Sequence, residues 1–211
     1  MANPLLIVDA GPLIALSVAS VLPQTIDLYK KLWMPQAVID ECLLEAHAPG
    51  AAAIAHALQN NGLHAVAQAD IAPLDPAYAL GLGSGEAAVI SYAAQHKHIA
   101  LVDDRKARKI AQRMRLRTVG SGSVLLALKL RGQIEKIAPA LQAWHAHGYY
   151  VAPVVVNELL RRAGELDDWI RPDRPIFHPP RQASRFGCWR RLRFAQPLAR
   201  HAVGRIKRLA V

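Results

Sequence analysis

Two short apolar runs that each end in aspartate constrain the fold of this chain more than any other feature. Residues 5–8, LLIV, are branched and apolar, like the buried strands of parallel sheets, and Asp9 follows them directly. Residues 99–102, IALV, have the same character and precede Asp103 and Asp104. Ligands bind at the carboxyl ends of strands in open α/β sheets, so these acids are candidates for a functional site. For Asp9 the alternative is a capping role, because Gly-Pro and a helical pattern follow it.

Strand-like and helix-like segments alternate over residues 5–165, which predicts an α/β fold in which helices cover a parallel central sheet. Ser84 is the expected N-cap of the helix that follows the glycine-rich run GLGSG. The predicted strands are residues 5–8, 63–69, 99–102 and 118–120. The predicted helices are residues 12–21, from Pro35 to about 47, 50–62, 81–98, 105–117, 121–132, 133–148 and 154–165.

The positive charge of the chain is concentrated near its C-terminus. Of the formal net charge of +10, eight units belong to residues 166–211, which carry eleven Lys and Arg against three Asp. This Pro- and Arg-rich segment cannot bury enough apolar surface to offset its ordering entropy. We therefore predict a domain over residues 1–165 and an irregular basic extension over residues 166–211, disordered or loosely docked. A membrane-surface helix from about residue 198 is the alternative for part of the extension.

Several classes of protein are disfavoured by the composition. Cys42 and Cys188 lie in regions of different character and form no disulfide or metal-ligand framework, which is typical of a reducing compartment. The N-terminus has no basic segment before its apolar part, unlike a signal peptide, and no window is apolar enough to span a membrane. We expect a cytoplasmic protein with no membrane span.

Two further acids are expected to join those at the strand ends. Glu86 lies in the first turn of the helix after GLGSG, where glycines permit close approach and the helix dipole favours negative charge. Glu41 lies on the helix AVIDECLL, where Asp40 or Glu45 could take its place. Singly, each acid has a structural alternative as a cap, a helix-dipole residue or a solvated acid. Their placement in four separate segments favours one cluster.

Such a cluster predicts a cation. Carboxylates packed together repel one another and cost stability unless a cation lies among them. Asp and Glu oxygens without His or Cys partners suit Mg²⁺ or Mn²⁺. These ions can activate water and neutralise charge on a phosphodiester.

A strongly basic helix follows the acidic turn directly. Its first two turns carry Arg105, Lys106, Arg108 and Lys109. This face could bind the phosphates of a nucleic acid and guide the strand to the metal, with a strong dependence on salt. The alternative is a solvated charged surface with no partner.

The motifs taken together resemble a known family. LLIVDAGPLIAL, VIDEC, GLGSGEAAVISYA and IALVDDRKARKIAQRMRLRTVGSGSVLLALKLRG are similar, in order and spacing, to the PIN-domain ribonucleases, in particular to a bacterial and archaeal branch related to the VapC toxins of toxin–antitoxin systems. The resemblance covers about residues 4–165. It implies a three-layer α/β/α fold and Mg²⁺- or Mn²⁺-dependent endonuclease activity on RNA. It also implies a small antitoxin as a partner, and a homodimer.

The resemblance also implies roles for individual acids. Asp9 matches the metal ligand of the first strand, Glu41 the helix acid, Glu86 the third acid and Asp104 the fourth, while Asp103 matches a position that is variably acidic or polar. The catalytic set is therefore Asp9, Glu41, Glu86 and Asp104, and the metal ligands are Asp9, Glu86, Asp103 and Asp104. The Ser or Thr that is common two residues after the first Asp is replaced by Gly11.

Two other functions compete with a ribonuclease. A haloacid dehalogenase phosphatase needs a second Asp where this chain has Gly11, and a receiver domain needs a Lys after a late strand. A catalytically silent nucleic-acid or partner-binding module would keep the fold without metal binding by the acids. Members of the resembling branch usually end near residue 165, so residues 166–211 are either a private extension or the product of a shifted reading frame.

Overall fold

A five-stranded parallel sheet organises residues 5–169, the part of the chain that the computed structural model describes. The strands are β1 (Leu6–Val8), β2 (Leu32–Pro35), β3 (Leu63–Val66), β4 (Ile99–Leu101) and β5 (Thr118–Val119), in the order β3-β2-β1-β4-β5. Helices cover both faces of this sheet, so the predicted three-layer α/β/α fold is confirmed. No helix among residues 5–169 is long and apolar enough to cross a membrane.

The helices follow the strands in the alternation that the sequence predicts. They are α1 (Ala10–Val18), α2 (Leu22–Tyr29), α3 (Gln36–Leu43), α4 (Ala51–Gln59), α5 (Pro76–Ala79), α6 (Ser84–Gln95), α7 (Arg105–Arg113), α8 (Ser121–Leu130), α9 (Ala138–Ala146), α10 (Pro153–Ala163) and α11 (Leu166–Trp169), with a short 3₁₀ turn at Gln68–Asp70. The predicted basic extension begins at α11. Its remaining residues, 170–211, lie outside the described residues, so the extension stays a prediction.

The strand order reverses between β1 and β4. The chain crosses from β1 to β2 and β3 on one side and from β4 to β5 on the other. β1 and β4 pair directly, with Ile7 opposite Ala100, and the Asp9 N–H extends the ladder by donating to the Leu101 carbonyl at 3.0 Å. Such a switch point opens a crevice at the carboxyl ends of the two central strands.

Several details of the sequence-based prediction were wrong, among them the missed helix α5 and the start of α9, which lies at Ala138 and not at residue 133. The fifth strand, β2, was missed because LWMP is short, ends in proline and passes into α3 without a loop. The helix α2 was also missed. Gly83, not Ser84, is the N-cap of α6, and Ser84 is the first residue of the helix.

The indole of Trp144 anchors α9 to the first helix. The side chain is almost completely buried, and its Nε1–H donates to the carbonyl oxygen of Ala15 in α1 at 2.7 Å. A buried indole needs such a partner because an unsatisfied N–H inside the core costs free energy. This contact fixes α9, and the segment that follows it, against the same helix that begins beside Asp9.

Glu165 holds the start of α9 from the far end of the fold. Its carboxylate is 2% exposed and accepts backbone N–H groups of Ile137 (2.9 Å) and Ala138 (2.9 Å) and the Lys129 ammonium (2.6 Å). Burial alone would raise the pKa of Glu165, but these hydrogen bonds outweigh it and lower the pKa below its ordinary value. The carboxylate therefore serves as a remote cap for the N-terminus of α9.

We expect Glu165→Gln to lower the free energy of unfolding by about 2–4 kcal/mol, because it removes the charge that pairs with Lys129 in a buried position. Since the folded-state pKa of Glu165 is depressed, its contribution is fully present above the ordinary pKa and is lost as the pH falls through the folded value. Urea unfolding should show the difference between the two proteins shrinking in acid. An equal difference at pH 7 and pH 3 would contradict this account.

Candidate active site

The carboxylate of Asp9 lies at the switch point and is nearly inaccessible. The residue is 6% exposed, and although it occupies the N-cap position of α1, its side chain accepts no capping hydrogen bond. Burial raises the pKa of Asp9 from 3.8 to about 8, with further contributions from the nearby Glu86, Glu41 and Asp103 carboxylates. The capping alternative therefore does not account for this aspartate.

Glu41 on α3 approaches Asp9 across a glycine. A Cβ atom at Gly85 would lie 3.3 Å from Glu41 Oε2 and 3.7 Å from Asp9 Oδ1, so the start of α6 passes directly beside both acids. Glycine permits this approach because it has no side chain. Asp40 and Glu45 are exposed, so Glu41 is the acid of this segment that lies near Asp9.

Glu86 is half-buried in the first turn of α6 and contributes to the electrostatic field at Asp9. Its Oε2 accepts the backbone N–H of Gly83 at 2.9 Å, so the side chain folds back over the start of its own helix. This is one half of a capping box and satisfies an otherwise unpaired helix N–H group. Glu86 thus acts as a cap while it lies near Asp9.

The two aspartates after β4 have different partners. Asp104 is the N-cap of α7, and its Oδ1 accepts the backbone N–H groups of Lys106 (2.7 Å) and Ala107 (3.0 Å). Asp103 instead accepts the N–H of Ser121, the first residue of α8, at 2.9 Å. Asp103 is among the acids that raise the pKa of Asp9.

Tyr149 is a site residue that the sequence analysis missed. It lies in the segment between α9 and α10, and its hydroxyl donates to Asp103 Oδ2 at 2.5 Å. Burial and the neighbouring Asp103 carboxylate raise the pKa of the Tyr149 hydroxyl above its ordinary value, so it stays a hydrogen-bond donor at neutral pH. Its separation of 46 residues from Asp103 gives no local signal in the sequence.

The donor set fits a hard divalent cation. Burial is the largest cause of the raised pKa of Asp9, and the charges of Glu86, Glu41 and Asp103 raise it further. A cation beside these acids would stabilise the charged carboxylate. Over residues 5–169, however, no three His, Cys, Asp or Glu side chains converge closely enough to hold an ion as they stand. The Glu86 carboxylate is folded back onto the N–H of Gly83.

The basic face predicted on α7 borders the acids. Arg105, Lys106, Arg108 and Lys109 are all exposed, whereas the opposite face of the helix packs into the core. Arg108 reaches back towards the site, since a Cβ atom at Gly120 would lie 3.4 Å from its Nη1 and 2.9 Å from Asp103 Oδ1. Of these four cations, Arg108 therefore lies near Asp103.

The family of the chain follows from a comparison with protein-family models. The model DUF3368, described as a PIN domain, matches residues 5–165. The chain belongs to the PIN-domain family. No curated protein and no solved structure matches it significantly.

The PIN domain is a nuclease-type fold. PIN domains are generally hydrolases that act on nucleic acid, and they typically use divalent metal ions. In this PIN domain the structure brings Asp9, Glu41, Glu86 and Asp103 into one electrostatic cluster. Asp104 lies beside that cluster and caps α7.

We expect the metal-free PIN domain to lose stability as the pH rises from about 4 to about 8. The folded-state pKa of Asp9 is raised, so the folded state binds a proton that the unfolded state has already released in this range. Asp9→Asn should remove this dependence and, in chelator at pH 8, exceed the wild type by about 1–3 kcal/mol. Urea unfolding across the pH range measures both effects.

Asp40→Asn is the matched control, since Asp40 is an exposed acid one residue from Glu41 that accepts a hydrogen bond from Gln36 at 2.8 Å. It should keep the pH dependence of the wild type. If the free energy of unfolding of the wild type does not change between pH 4 and pH 8, the pKa of Asp9 is not raised in the folded state.

Proposed function

We propose that this PIN domain is a Mg²⁺- or Mn²⁺-dependent endoribonuclease related to the VapC toxins. The observation that carries the proposal is the buried Asp9 carboxylate at the switch point of the sheet, within the field of three further acids. Structural acids seldom share one crevice at such a cost in stability, whereas acids that bind a catalytic cation do so regularly. The order and spacing of the motifs support the relation to VapC toxins.

Asp9, Glu86, Asp103 and Asp104 would hold the cation, and Glu41 would complete the acidic set. The cation, when bound, supplies activation of water and neutralisation of charge on the phosphodiester. The oxygen of water forms a bond to phosphorus, and the bond from phosphorus to the leaving ribose oxygen breaks. The water proton passes to solvent, and the leaving oxygen takes up a proton.

The carboxylates keep capacity for a cation despite their hydrogen bonds. A carboxylate has about four lone-pair directions, and Asp103 uses two of them for Ser121 and Tyr149. Asp104 shows two backbone donors on Oδ1. The contribution of Asp103 to the field at Asp9 supports Asp103 as an acid of the cluster.

RNA is the substrate we propose for the basic face of α7. Arg105 and Lys106 lie in the first helical turn, directly after the cap at Asp104, and Arg108 and Lys109 follow within about 6 Å of helix rise. Cations next to an acidic metal site can bind the phosphates that flank the cleaved bond. A small antitoxin that covers this site, and a homodimer, are further proposals that rest on the VapC resemblance.

Purified protein should cut RNA only in the presence of Mg²⁺ or Mn²⁺, and Asp9→Asn should lower the cleavage rate at least about 100-fold. The reason is that Asp9 is the most buried acid of the cluster, so its charge is the least screened by solvent. The assay uses total RNA with mapped fragment ends, and Asp40→Asn serves as the control with normal activity. Cleavage that persists in chelator or in Asp9→Asn would contradict the proposal, and a wild type that binds RNA without cutting it would favour the silent module.

Replacing Arg105 and Arg108 by Ala should weaken RNA binding while metal binding is retained. The loss of two phosphate contacts should make the negative slope of log affinity against log salt concentration shallower by about 1.4 for single-stranded RNA. Fluorescence anisotropy at several salt concentrations measures this slope. The matched control is the replacement of Arg161 and Arg162, two surface arginines of α10 that pair with Glu158, which removes the same charge elsewhere. Equal slopes for both double variants would refute a specific role of α7.

A further inference from the structure

The carboxylate of Asp103 is held by two donors from different parts of the fold. The N–H of Ser121 reaches Oδ1 from the start of α8, and the hydroxyl of Tyr149 reaches Oδ2 from the segment after α9. Because each oxygen has its own donor, the carboxylate plane cannot rotate without breaking both hydrogen bonds. The orientation of the Asp103 carboxylate is therefore fixed at both oxygens.

The backbone beside Asp103 is fitted to this arrangement. A Cβ atom at Gly120 would lie 2.9 Å from Asp103 Oδ1, which is closer than carbon and oxygen atoms normally approach. Glycine at this position allows the start of α8 to meet the carboxylate. A residue with a side chain at position 120 would displace Asp103 from the donor at Ser121.

Tyr149 is itself held in place by contacts that do not involve the acids. Its backbone N–H donates to the carbonyl of Trp144 at 2.8 Å, and its ring lies 5.4 Å from the Trp144 ring in a tilted arrangement. Trp144 in turn donates to Ala15 of α1, the helix that begins next to Asp9. The tyrosine thus links Asp103 to the helix that positions the first acid.

We propose that Tyr149 is a positioning residue that orients Asp103 towards the cation of this site. The inference rests on the proposed function, since it assumes that the acids bind a metal ion. Hydrogen bonds to metal-binding carboxylates fix their orientation, and loss of such a partner typically weakens metal binding 10- to 100-fold. Without the hydroxyl, the Asp103 carboxylate keeps only the Ser121 donor and turns under the repulsion of its acidic neighbours.

The test is calorimetric titration of the full chain with Mn²⁺. Tyr149→Phe keeps the ring against Trp144 and removes only the hydroxyl, so we expect about tenfold weaker Mn²⁺ binding with little change in the melting temperature in chelator. Tyr150→Phe is the matched control, because Tyr150 is the adjacent tyrosine and is 78% exposed. It should bind Mn²⁺ like the wild type.

A double-mutant cycle with Asp103→Asn decides whether the hydroxyl acts through Asp103. In the Asp103→Asn background, Tyr149→Phe should have no further effect on Mn²⁺ affinity, since the two residues act as one unit. Equal losses in both backgrounds, unchanged Mn²⁺ affinity of Tyr149→Phe, or loss of its cooperative melting transition would each overturn the inference. Normal affinity combined with slow RNA cleavage would also overturn it, because the hydroxyl would then act on the substrate.

The same titration separates this inference from the proposed function. If the wild type binds Mn²⁺ and cuts RNA, and Tyr149→Phe has the same Mn²⁺ affinity, the role of Tyr149 alone is overturned. A wild type that shows no Mn²⁺ binding overturns the metal-dependent nuclease and the positioning role together.

Discussion

The burial of the Asp9 carboxylate at the switch point of the sheet, beside further acids, is the constraint around which the rest of the structure is arranged. Asp9 cannot escape to solvent, because it follows a strand in the centre of the sheet and is covered by α6. A core of branched side chains, a reversed strand order and a glycine at position 85 all bring negative groups together where water has little access. The fold carries this unfavourable arrangement because its remaining helices and strands are well packed.

Backbone N–H groups at the starts of three helices donate to the same acids that a cation would bind. Glu86 accepts an N–H at the start of α6, Asp104 does so at α7, and Asp103 does so at α8. Three helix N-termini therefore surround the crevice, and their partial positive charges offset part of the repulsion. These N–H groups are paired with the carboxylates, so each acid is tied to the start of a helix.

The convergence of Asp9 with the acids after β4 was predictable from the sequence, because parallel strands bring their carboxyl ends to one edge of a sheet. The distinction between Asp103 and Asp104 was not, since the two residues are chemically identical neighbours. Their roles depend on the extended backbone at Asp104, which begins α7, and on the position of α8. Tyr149 was equally inaccessible to pattern analysis, because its contact with Asp103 exists only after α9 has packed against α1.

The carboxylate of Glu165 has a consequence for the order in which the domain matures during synthesis. It caps the start of α9, although it is encoded 27 residues after Ala138. While the ribosome still covers Glu165, α9 lacks this cap, and the segment that carries Tyr149 is joined to a helix without its final anchor. A nascent chain that does not yet present Glu165 therefore lacks the cap of the helix that leads to Tyr149.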